Sequence, residues 1–270
     1  MIRKILLISF LINSALLVGQ TEPGKNQTDS KGLKQGFWEK KYSNGVLMYQ
    51  GKFKDGKPVG QMKRFYEDGT PKAVMNYSEN GDFAEATLYY QNGAISSFRV
   101  YRNEKRDSTW KFYSYYTKNL ISEEKYDNGL KTGFSVNYFD NGTISEKTEW
   151  KDGKKNGLWE QFFEDGSLRL KSNYSNDKLS GDLLVYQSKN HLLVKGKYID
   201  NLPDGNWVFY NEDGSAADTV EYNSGKLVNE DELTKKQQEY FRKIDQNIGK
   251  IDEPDPSDFF PGSGKNQYEY

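Results

Sequence analysis

Large apolar side chains and polar turn residues recur along this chain with a period of 24 residues. The segment GFWEKKYSNG at 36–45 returns in related form at 133–142, 157–166 and 205–214. Starts at positions 36, 60, 84, 108, 133, 157, 181 and 205 divide 36–228 into eight units, with one extra residue at Thr117 or Lys118. A register kept over eight cycles indicates a repeat architecture.

Each unit contains the pattern of two short strands and two turns. The third position of the first strand is mostly large, as Trp38, Met62, Trp110, Trp159, Leu183 and Trp207, with Ala86 and Ser135 as exceptions. The eighteenth position is always aromatic: Phe53, Tyr77, Tyr101, Tyr126, Trp150, Tyr174, Tyr198 and Tyr222. Period-2 alternation places positions 12 and 18 on one face of the sheet.

The first turn of most units holds Asn-Gly or Asp-Gly, as at Asn44-Gly45 and Asp165-Gly166. We expect both residues of the pair to take positive φ in a tight hairpin turn. The sequence therefore predicts an all-β fold: an elongated single-layer antiparallel β-meander of eight hairpin repeats of about 24 residues, with a C-terminal capping α-helix. About sixteen strands spaced ~4.8 Å apart would give a sheet roughly 75 Å long.

The N-terminal segment has the features of an export signal. Arg3 and Lys4 precede an apolar run over 5–18, which is short for a membrane span. We expect a signal peptide over 1–19, cleaved near Gly19 or Gln20, with an uncleaved N-terminal anchor as the alternative. A polar, glycine-containing stretch over 20–35 predicts a flexible lead-in. The expected localisation is exported: periplasmic, associated with the outer envelope, or secreted.

After Val228 the period changes to that of a helix. Asn229 and Glu232 form a capping-box pattern, and an apolar stripe follows at Leu233, Tyr240, Phe241, Ile244, Ile248 and Ile251. The pattern predicts a helix over 229–252, ended by prolines, and a flexible tail over 253–270. A cap on the last hairpin is the expected role, and an amphipathic helix that binds a partner is the alternative.

The turn motif and the residues after it resemble those of a known repeat family. Residues 152–159, DGKKNGLW, and the segment 55–60, DGKPVG, followed by Met62, resemble the MORN-repeat variant of bacterial proteins. The resemblance covers 36–228, and units three, four and seven depart from it at Asn103-Glu104, Thr117 and Asn190. It implies a stack of β-hairpins and interaction with proteins or membrane lipids. Bacterial proteins of this kind are often labelled antitoxins of toxin–antitoxin systems.

Composition narrows the classes of function. Thirty-eight basic and 39 acidic residues are interleaved along the chain, for a net charge of −1. Nucleic-acid binding requires a concentrated positive field, so no nucleic-acid partner is expected. Cysteine is absent, which excludes disulfides and thiolate metal sites.

No group of residues has the pattern of a catalytic centre. His191 is the only histidine, and neither a nucleophile elbow nor a glycine-rich phosphate loop is present. The acidic residues recur at turns, where Asp before Gly has a structural role. We therefore predict no catalytic, cofactor-binding or metal-binding residues and no cofactor, hence no enzyme; a hydrolase with paired carboxylates is the enzymatic alternative.

The predicted function is that of a non-enzymatic, exported repeat scaffold that mediates protein–protein interaction, with an antitoxin-like or immunity-like role implied by the resemblance. A binder of carbohydrate or lipid surfaces that uses the aromatic ladder is the alternative, because a single sheet cannot bury both of its faces. The expected partner is a protein.

Overall fold

The computed structural model describes residues 24–188 and 191–228, together with residue 242. The regular structure of these two ranges is β-strand throughout, in one sheet whose strands pair antiparallel. Each strand pairs with its neighbours along the chain, as β13 (Lys154–Phe162) does with β12 (Ile144–Lys151) and β14 (Leu168–Ser175). The predicted single-layer antiparallel β-meander is confirmed.

The eight units start where the 24-residue period places them. Their first strands are β2 (Lys34–Lys41), β4 (Lys57–Phe65), β6 (Phe83–Tyr89), β8 (Lys105–Tyr113), β11 (Gly133–Tyr138), β13, β16 (Gly181–Ser188) and β19 (Gly205–Tyr210). Their second strands are β3 (Leu47–Lys54), β5 (Pro71–Tyr77), β7 (Ile95–Arg102), β9 (Leu120–Asp127), β12, β14, β17 (His191–Ile199) and β20 (Ala216–Asn223). Two-residue strands complete the sheet: β1 (Gln27–Thr28), β10 (Leu130–Lys131), β15 (Lys178–Leu179), β18 (Leu202–Pro203) and β21 (Lys226–Leu227).

The two turns of a unit have different conformations. In the Asn-Gly and Asp-Gly first turns only the glycine has positive φ, as Gly142 does at 84°. The preceding Asn141 instead accepts the amide N–H of Thr143 with its side-chain oxygen, at 2.9 Å. The expectation that both residues of the Asn-Gly pair take positive φ is wrong for this turn, because the side-chain hydrogen bond holds Asn141 in a turn that needs one left-handed residue.

In seven of the eight units the second turn has two consecutive residues with positive φ; in unit two only Gly81 does. Asp152 and Gly153 have φ of 52° and 79°. Asn103-Glu104, which departs from the family pattern, takes the same conformation with φ of 49° and 64°. Two left-handed residues are what a two-residue hairpin turn requires, so the hairpin tolerates the missing glycine here.

The extra residue of unit four lies in its first turn. Phe139 and Thr143 bound the ordinary turn, in which the Phe139 N–H donates to the Thr143 carbonyl at 2.8 Å. In unit four the corresponding bond joins the Ser114 N–H to the Asn119 carbonyl at 2.9 Å, with one more residue between them. The insertion therefore lengthens a turn and leaves the strand register unchanged.

A bulge follows each first turn. Tyr138 lies opposite Ile144, whereas Asn137 lies opposite Glu146, so the register shifts between them. Ile144, at position 12, therefore pairs with Tyr138, whereas Trp150, at position 18, pairs with Gly133. Tyr138 and Gly133 lie on opposite faces of the sheet. The expected placement of positions 12 and 18 on one face is wrong, because the bulge interrupts the period-2 alternation.

One face of the sheet is the buried one. We call it the core face; it consists of positions 1, 3, 5, 14, 16 and 18 of each unit, which lie opposite one another across the strands, as Trp207 does to Val220. The residue two positions before a unit joins this face where it lies in the strand, as Arg106 does opposite Tyr101. Its fully buried side chains include Leu183, Val194, Trp207 and Val220. Alternate strand positions point to the other side, which we call the outer face.

The chain before the first unit covers the edge of the sheet. β1 pairs with β2, and the Asn26 N–H donates to the Phe37 carbonyl at 2.9 Å. Asn26 accepts the Glu39 N–H with its side-chain oxygen at 2.8 Å. Over 24–35 the structure therefore differs from the flexible lead-in expected from composition. The open edge of β2 offers unpaired backbone groups, and this segment satisfies them.

The predicted signal peptide over 1–19, the tail over 253–270 and, apart from residue 242, the helix over 229–252 lie outside the described residues. Within the described part of the chain, no helix has the length and apolar character needed to cross a bilayer.

Candidate binding face

Neighbouring units are tied together along the first-turn edge of the sheet. The Tyr42 hydroxyl donates to the Phe65 carbonyl at 2.9 Å, and Tyr66 makes the corresponding bond to Tyr89 at 2.7 Å. Tyr90 repeats it to Tyr113 at 2.7 Å. Each bond joins position 7 of one unit to position 6 of the next, so a regular series of hydrogen bonds holds units one to four together along this edge.

The aromatic positions of the core face pack against one another edge to face. The centroids of Tyr101 and Trp110 are 5.1 Å apart, and those of Tyr198 and Trp207 are also 5.1 Å apart with the rings nearly perpendicular. Trp110, Trp159 and Trp207 are buried, whereas Trp38 is only half-buried. The third and eighteenth positions thus form the core, as the sequence pattern indicates, except towards the N-terminal end.

Charge divides the core face into zones. From β2 to β8 its side chains include Lys34, Lys40, Arg64, Arg99 and Arg106 and no carboxylate. Lys40, Arg64 and Arg106 are exposed, and Lys34 and Arg99 are half-buried. Between these cations lie half-buried apolar side chains: Trp38, Tyr49, Phe53, Met62, Met75, Tyr77 and Tyr101. We call this zone the cationic strip.

Three aromatic rings surround one of these cations. The Lys34 ammonium lies 4.7 Å from the centroid of Trp38, 4.8 Å from that of Phe53 and 5.5 Å from that of Tyr49. It also donates to the Tyr49 hydroxyl at 3.3 Å. Cation–π attraction holds the charge against the ring faces, so those faces are covered by the chain's own side chain.

A second cation pair flanks Trp110. The guanidinium carbons of Arg99 and Arg106 each lie 5.1 Å from the Trp110 centroid. Arg106 also donates to the Tyr126 hydroxyl at 3.1 Å. Planar guanidinium groups that stack on rings keep their N–H donors available at the ring edge, where a carboxylate could accept two of them.

Carboxylates enter the core face at β9. Glu124 is buried, forms an ion pair with Lys131 at 2.9 Å between Nζ and Oε1, and accepts a short hydrogen bond from the Tyr126 hydroxyl. Burial and the hydrogen bond to Glu124 raise the pKa of Tyr126 well above its usual value. One unit further, Glu146 accepts hydrogen bonds from Thr148 at 3.2 Å and Gln161 at 3.1 Å. Both acids are thus engaged within the sheet, and Glu124 reaches the edge of the cationic strip, because the Tyr126 hydroxyl that bonds it also accepts from Arg106.

The core face of the last three units is mainly apolar, with Gln161, Ser172 and Asp218 among its polar side chains. Trp159, Leu170, Leu179, Leu183, Val194, Tyr198, Trp207 and Val220 form one buried cluster. The residue two positions before the unit is basic in units one, four, five and six, as Lys34, Arg106, Lys131 and Lys155. It is not basic in the other four units, where Pro58, Asp82, Leu179 and Pro203 occupy it.

His191 is exposed at the start of β17. Across the described residues, no group of three or more His, Cys, Asp or Glu side chains is arranged to hold a metal ion. The sequence pattern indicated the aromatic ladder but did not reveal the cationic strip. Successive residues of a strand point to opposite faces, so a charge can be assigned to a face only once the strand register is known. The recurring basic residue before four of the units was the available signal.

The fold and this face together define a β-hairpin repeat scaffold. Two segments, 58–79 and 155–176, match the family model described as MORN repeat variant, which confirms the resemblance read from the turn motif. Both matches begin two residues before a unit, in the same phase of the repeat. The chain thus contains MORN-variant repeats.

Other comparisons add little. No curated protein matches this chain. One solved structure that it resembles is titled "Crystal Structure of TcdB2-TccC3", with 12% sequence identity over 75% of this chain and a TM-score of 0.21. The match covers only 15% of that chain's length, and a likeness this weak carries no information on function.

Proposed function

We propose that this protein is an exported scaffold that binds an acidic segment of a partner protein on the cationic strip. The observation that supports this best is the charge of the core face from β2 to β8, where cations and half-buried aromatic rings alternate without a carboxylate. Aromatic and arginine side chains are the residue types that dominate protein–protein binding energies. The repeat frame presents them in fixed positions, which lowers the entropy lost on binding.

A partner of protein type fits this face better than a sugar. Sugars stack on exposed ring faces, and at Trp38, Tyr49 and Phe53 the Lys34 ammonium occupies that space. An acidic side chain could instead pair with Lys34 from the open side, because the ammonium is held near the surface and keeps part of its hydrogen-bonding capacity.

An anionic membrane is also less suited than a peptide. The turn edges on both sides of the strip carry carboxylates, among them Asp55, Asp68 and Asp82. A flat anionic surface would meet these acids together with the cations, whereas a single extended chain would lie between the two edges. We therefore favour an acidic, extended peptide segment and make vesicle binding an outcome of the test.

The test compares neighbouring lysines that point to opposite faces. Lys40 and Arg64 belong to the cationic strip, while Lys41 and Lys63 lie beside them in the same strands on the outer face. Binding of a synthetic peptide of alternating Glu and Tyr would be measured by fluorescence anisotropy for Lys40→Gln with Arg64→Gln and for the control Lys41→Gln with Lys63→Gln. The first pair should weaken binding roughly tenfold, and the control by no more than about twofold.

An equal loss in the two double variants would show non-specific charge attraction and contradict the proposed site. No binding of the peptide, with binding to phosphatidylglycerol vesicles that depends on Lys40 and Arg64, would replace the protein partner by a lipid surface. A Lys/Tyr peptide of the same length should not bind in either case.

Export is the second part of the proposal. Its support is the sequence Arg3-Lys4 followed by the apolar run over 5–18, together with the absence of cysteine, which leaves the chain insensitive to an oxidising compartment. An antitoxin-like or immunity-like role is implied by the resemblance to the bacterial repeat variant. In such a role, the protein that is neutralised would carry the acidic segment.

A further inference from the structure

Two exposed cations of the cationic strip lie in one row across the strands. Lys40 lies opposite Tyr49, and Tyr49 lies opposite Arg64. The row continues through Ala73 to Leu88. Lys40 and Arg64 are therefore two strands apart, which corresponds to ~9.6 Å between their backbones.

Aromatic rings form a second row with the same interval. Tyr77 lies opposite Ala84, and Ala84 lies opposite Tyr101. Ala84 is buried, whereas both tyrosines are half-buried, so the small side chain leaves a notch between two rings. Ala84 and Leu88 belong to the same strand, β6, and lie four residues apart. The two rows thus run side by side, ~13 Å from each other along the strands.

The interval of the rows selects the conformation of a ligand that lies along them. A polyproline II helix has three residues per turn, so its side chains at i and i+3 lie on one side, ~9.3 Å apart. Same-side residues of a β-strand are ~6.7 Å apart, and two turns of an α-helix cover ~10.8 Å. Of the three conformations, polyproline II fits the ~9.6 Å interval best, and its mismatch stays below ~1 Å over three units.

We propose that the acidic segment bound by the cationic strip has the polyproline II conformation, with an acidic residue at every third position. This inference rests on the proposed function and adds to it the conformation and sequence pattern of the partner. One side of the helix presents carboxylates to Lys40 and Arg64. A second side presents proline rings to the notch between Tyr77 and Tyr101, and the third side faces solvent.

The proposed ligand suits both rows chemically. A polyproline II helix is preformed, so it loses little conformational entropy on binding, and grooves lined by aromatic rings are a recurrent site for it. Its carboxylates would reach the ammonium of Lys40 and the guanidinium of Arg64, which can accept a carboxylate through two parallel hydrogen bonds. In unit one the Lys34 ammonium lies 4.8 Å from the Phe53 centroid, so proline contacts are expected in units two and three.

Two twelve-residue peptides of four glutamates and eight prolines test the interval. The regular peptide repeats Glu-Pro-Pro four times, which places all carboxylates on one side of the helix. The uneven peptide has glutamates at its second, fourth, eighth and tenth residues, which places successive carboxylates on different sides. Charge and composition are equal. In fluorescence anisotropy the regular peptide should bind roughly fivefold more tightly, because only it lets neighbouring carboxylates engage Lys40 and Arg64 together.

The preference for the regular peptide should depend on the cation row. In the double variant Lys40→Gln with Arg64→Gln the two peptides should bind with equal, weakened affinity. The matched variant Lys41→Gln with Lys63→Gln, on the outer face of the same strands, should keep the preference.

A third cation placed in the row tests the same interval from the side of the protein. Leu88→Lys adds a positive charge two strands beyond Arg64 and should tighten binding of the regular peptide about threefold, and of the uneven peptide by less than about twofold. The control is Thr87→Lys, the neighbouring residue of β6 on the outer face, which should change neither affinity by more than about twofold. Both residues are half-buried, and circular dichroism checks that both variants keep the fold.

Equal affinities of the regular and uneven peptides for the wild type would overturn the proposal, whatever the fold of Leu88→Lys. An equal gain for both peptides in a folded Leu88→Lys variant would overturn it as well. If the peptide of alternating Glu and Tyr still binds through Lys40 and Arg64 in either case, the proposed function stands and only the polyproline II conformation is wrong. If none of the three peptides binds, both proposals fail.

Discussion

The close approach of Trp207 to Gly196 makes one repeat position unusually sensitive to a single methyl group. A Cβ built on Gly196 would lie 2.3 Å, 2.5 Å and 2.7 Å from three atoms of the Trp207 indole. Ordinary contacts begin near 3.4 Å, so the ring would have to move by about 1 Å. Trp207 is 1% exposed and is packed between Tyr198 and Tyr222, at centroid distances of 5.1 Å and 6.0 Å, which leaves it little room.

We expect Gly196→Ala to destabilise the protein by about 1–3 kcal/mol. Overpacking of a well-filled core costs this amount, and the gain of roughly 0.5–1 kcal/mol from replacing glycine in a strand reduces it only in part. The matched control is Gly51→Ala at the same position of unit one. There the new Cβ would lie 3.1 Å from the Met62 Cβ and 3.2 Å from its Cα and Cγ, so the neighbouring strand would have to give by only a few tenths of an ångström.

The measurement is urea unfolding followed by circular dichroism for the wild type and the two variants. Gly51→Ala should stay within about 1 kcal/mol of the wild type in free energy of unfolding. The double variant Gly196→Ala with Trp207→Leu should show a favourable coupling, because the smaller side chain no longer meets the added methyl group. Equal midpoints for the two glycine variants, or an absent coupling, would refute the argument that Trp207 lies closely over Gly196.

Other predictions concern the stack, a buried tyrosine and export. Deleting 157–180 removes one whole unit and should give a folded, slightly less stable sheet, whereas deleting 157–168 removes one strand and reverses the direction of all that follow; thermal melts of the two should differ, and equal melts would contradict the hairpin stack. The raised pKa of Tyr126 means that its neutral form is favoured in the folded state, so its contribution to stability is complete below its usual pKa of about 10 and is lost as pH rises above that value. Between pH 8 and pH 11 the wild type should therefore lose about 1 kcal/mol more stability than Tyr126→Phe in urea titrations, and parallel losses would count against the role of the Glu124 hydrogen bond. Mass spectrometry of protein from the periplasm or medium should show removal of about 2 kDa by cleavage between Gly19 and Thr21; an intact Met1 in a membrane fraction would indicate the uncleaved anchor.

Much of the architecture could be read from the periodic residues. The 24-residue spacing located all eight first strands, and the aromatic eighteenth position marked the end of each second strand. Local chemistry is enough for this, because Asn-Gly and Asp-Gly turns and alternating aromatic residues specify hairpins without long-range information. The inserted residue at Thr117 or Lys118 could also be identified, since an offset of one residue is visible against six regular steps of 24 residues.

The conformation of the first turn and the face on which each side chain lies were harder to predict from the sequence. Asn141 has a side chain that can either adopt the left-handed conformation or accept a neighbouring amide, and in the first turn it does the latter. The bulge between Ile144 and Glu146 then reverses which side the start of the second strand faces. Neither choice is encoded in the period itself. Both depend on how two strands meet across a turn.

The sequence alone established that this chain is a stack of hairpins, because repeated local signals act within about ten residues and need no distant partner. The division of one face into a cationic strip and a buried apolar cluster emerged only when the strands were placed side by side. Lys34 and Arg106 are separated by some seventy residues along the chain, and the bulges decide which neighbours share their side of the sheet. A surface is a property of several strands at once, so its charge could not be read from any single repeat.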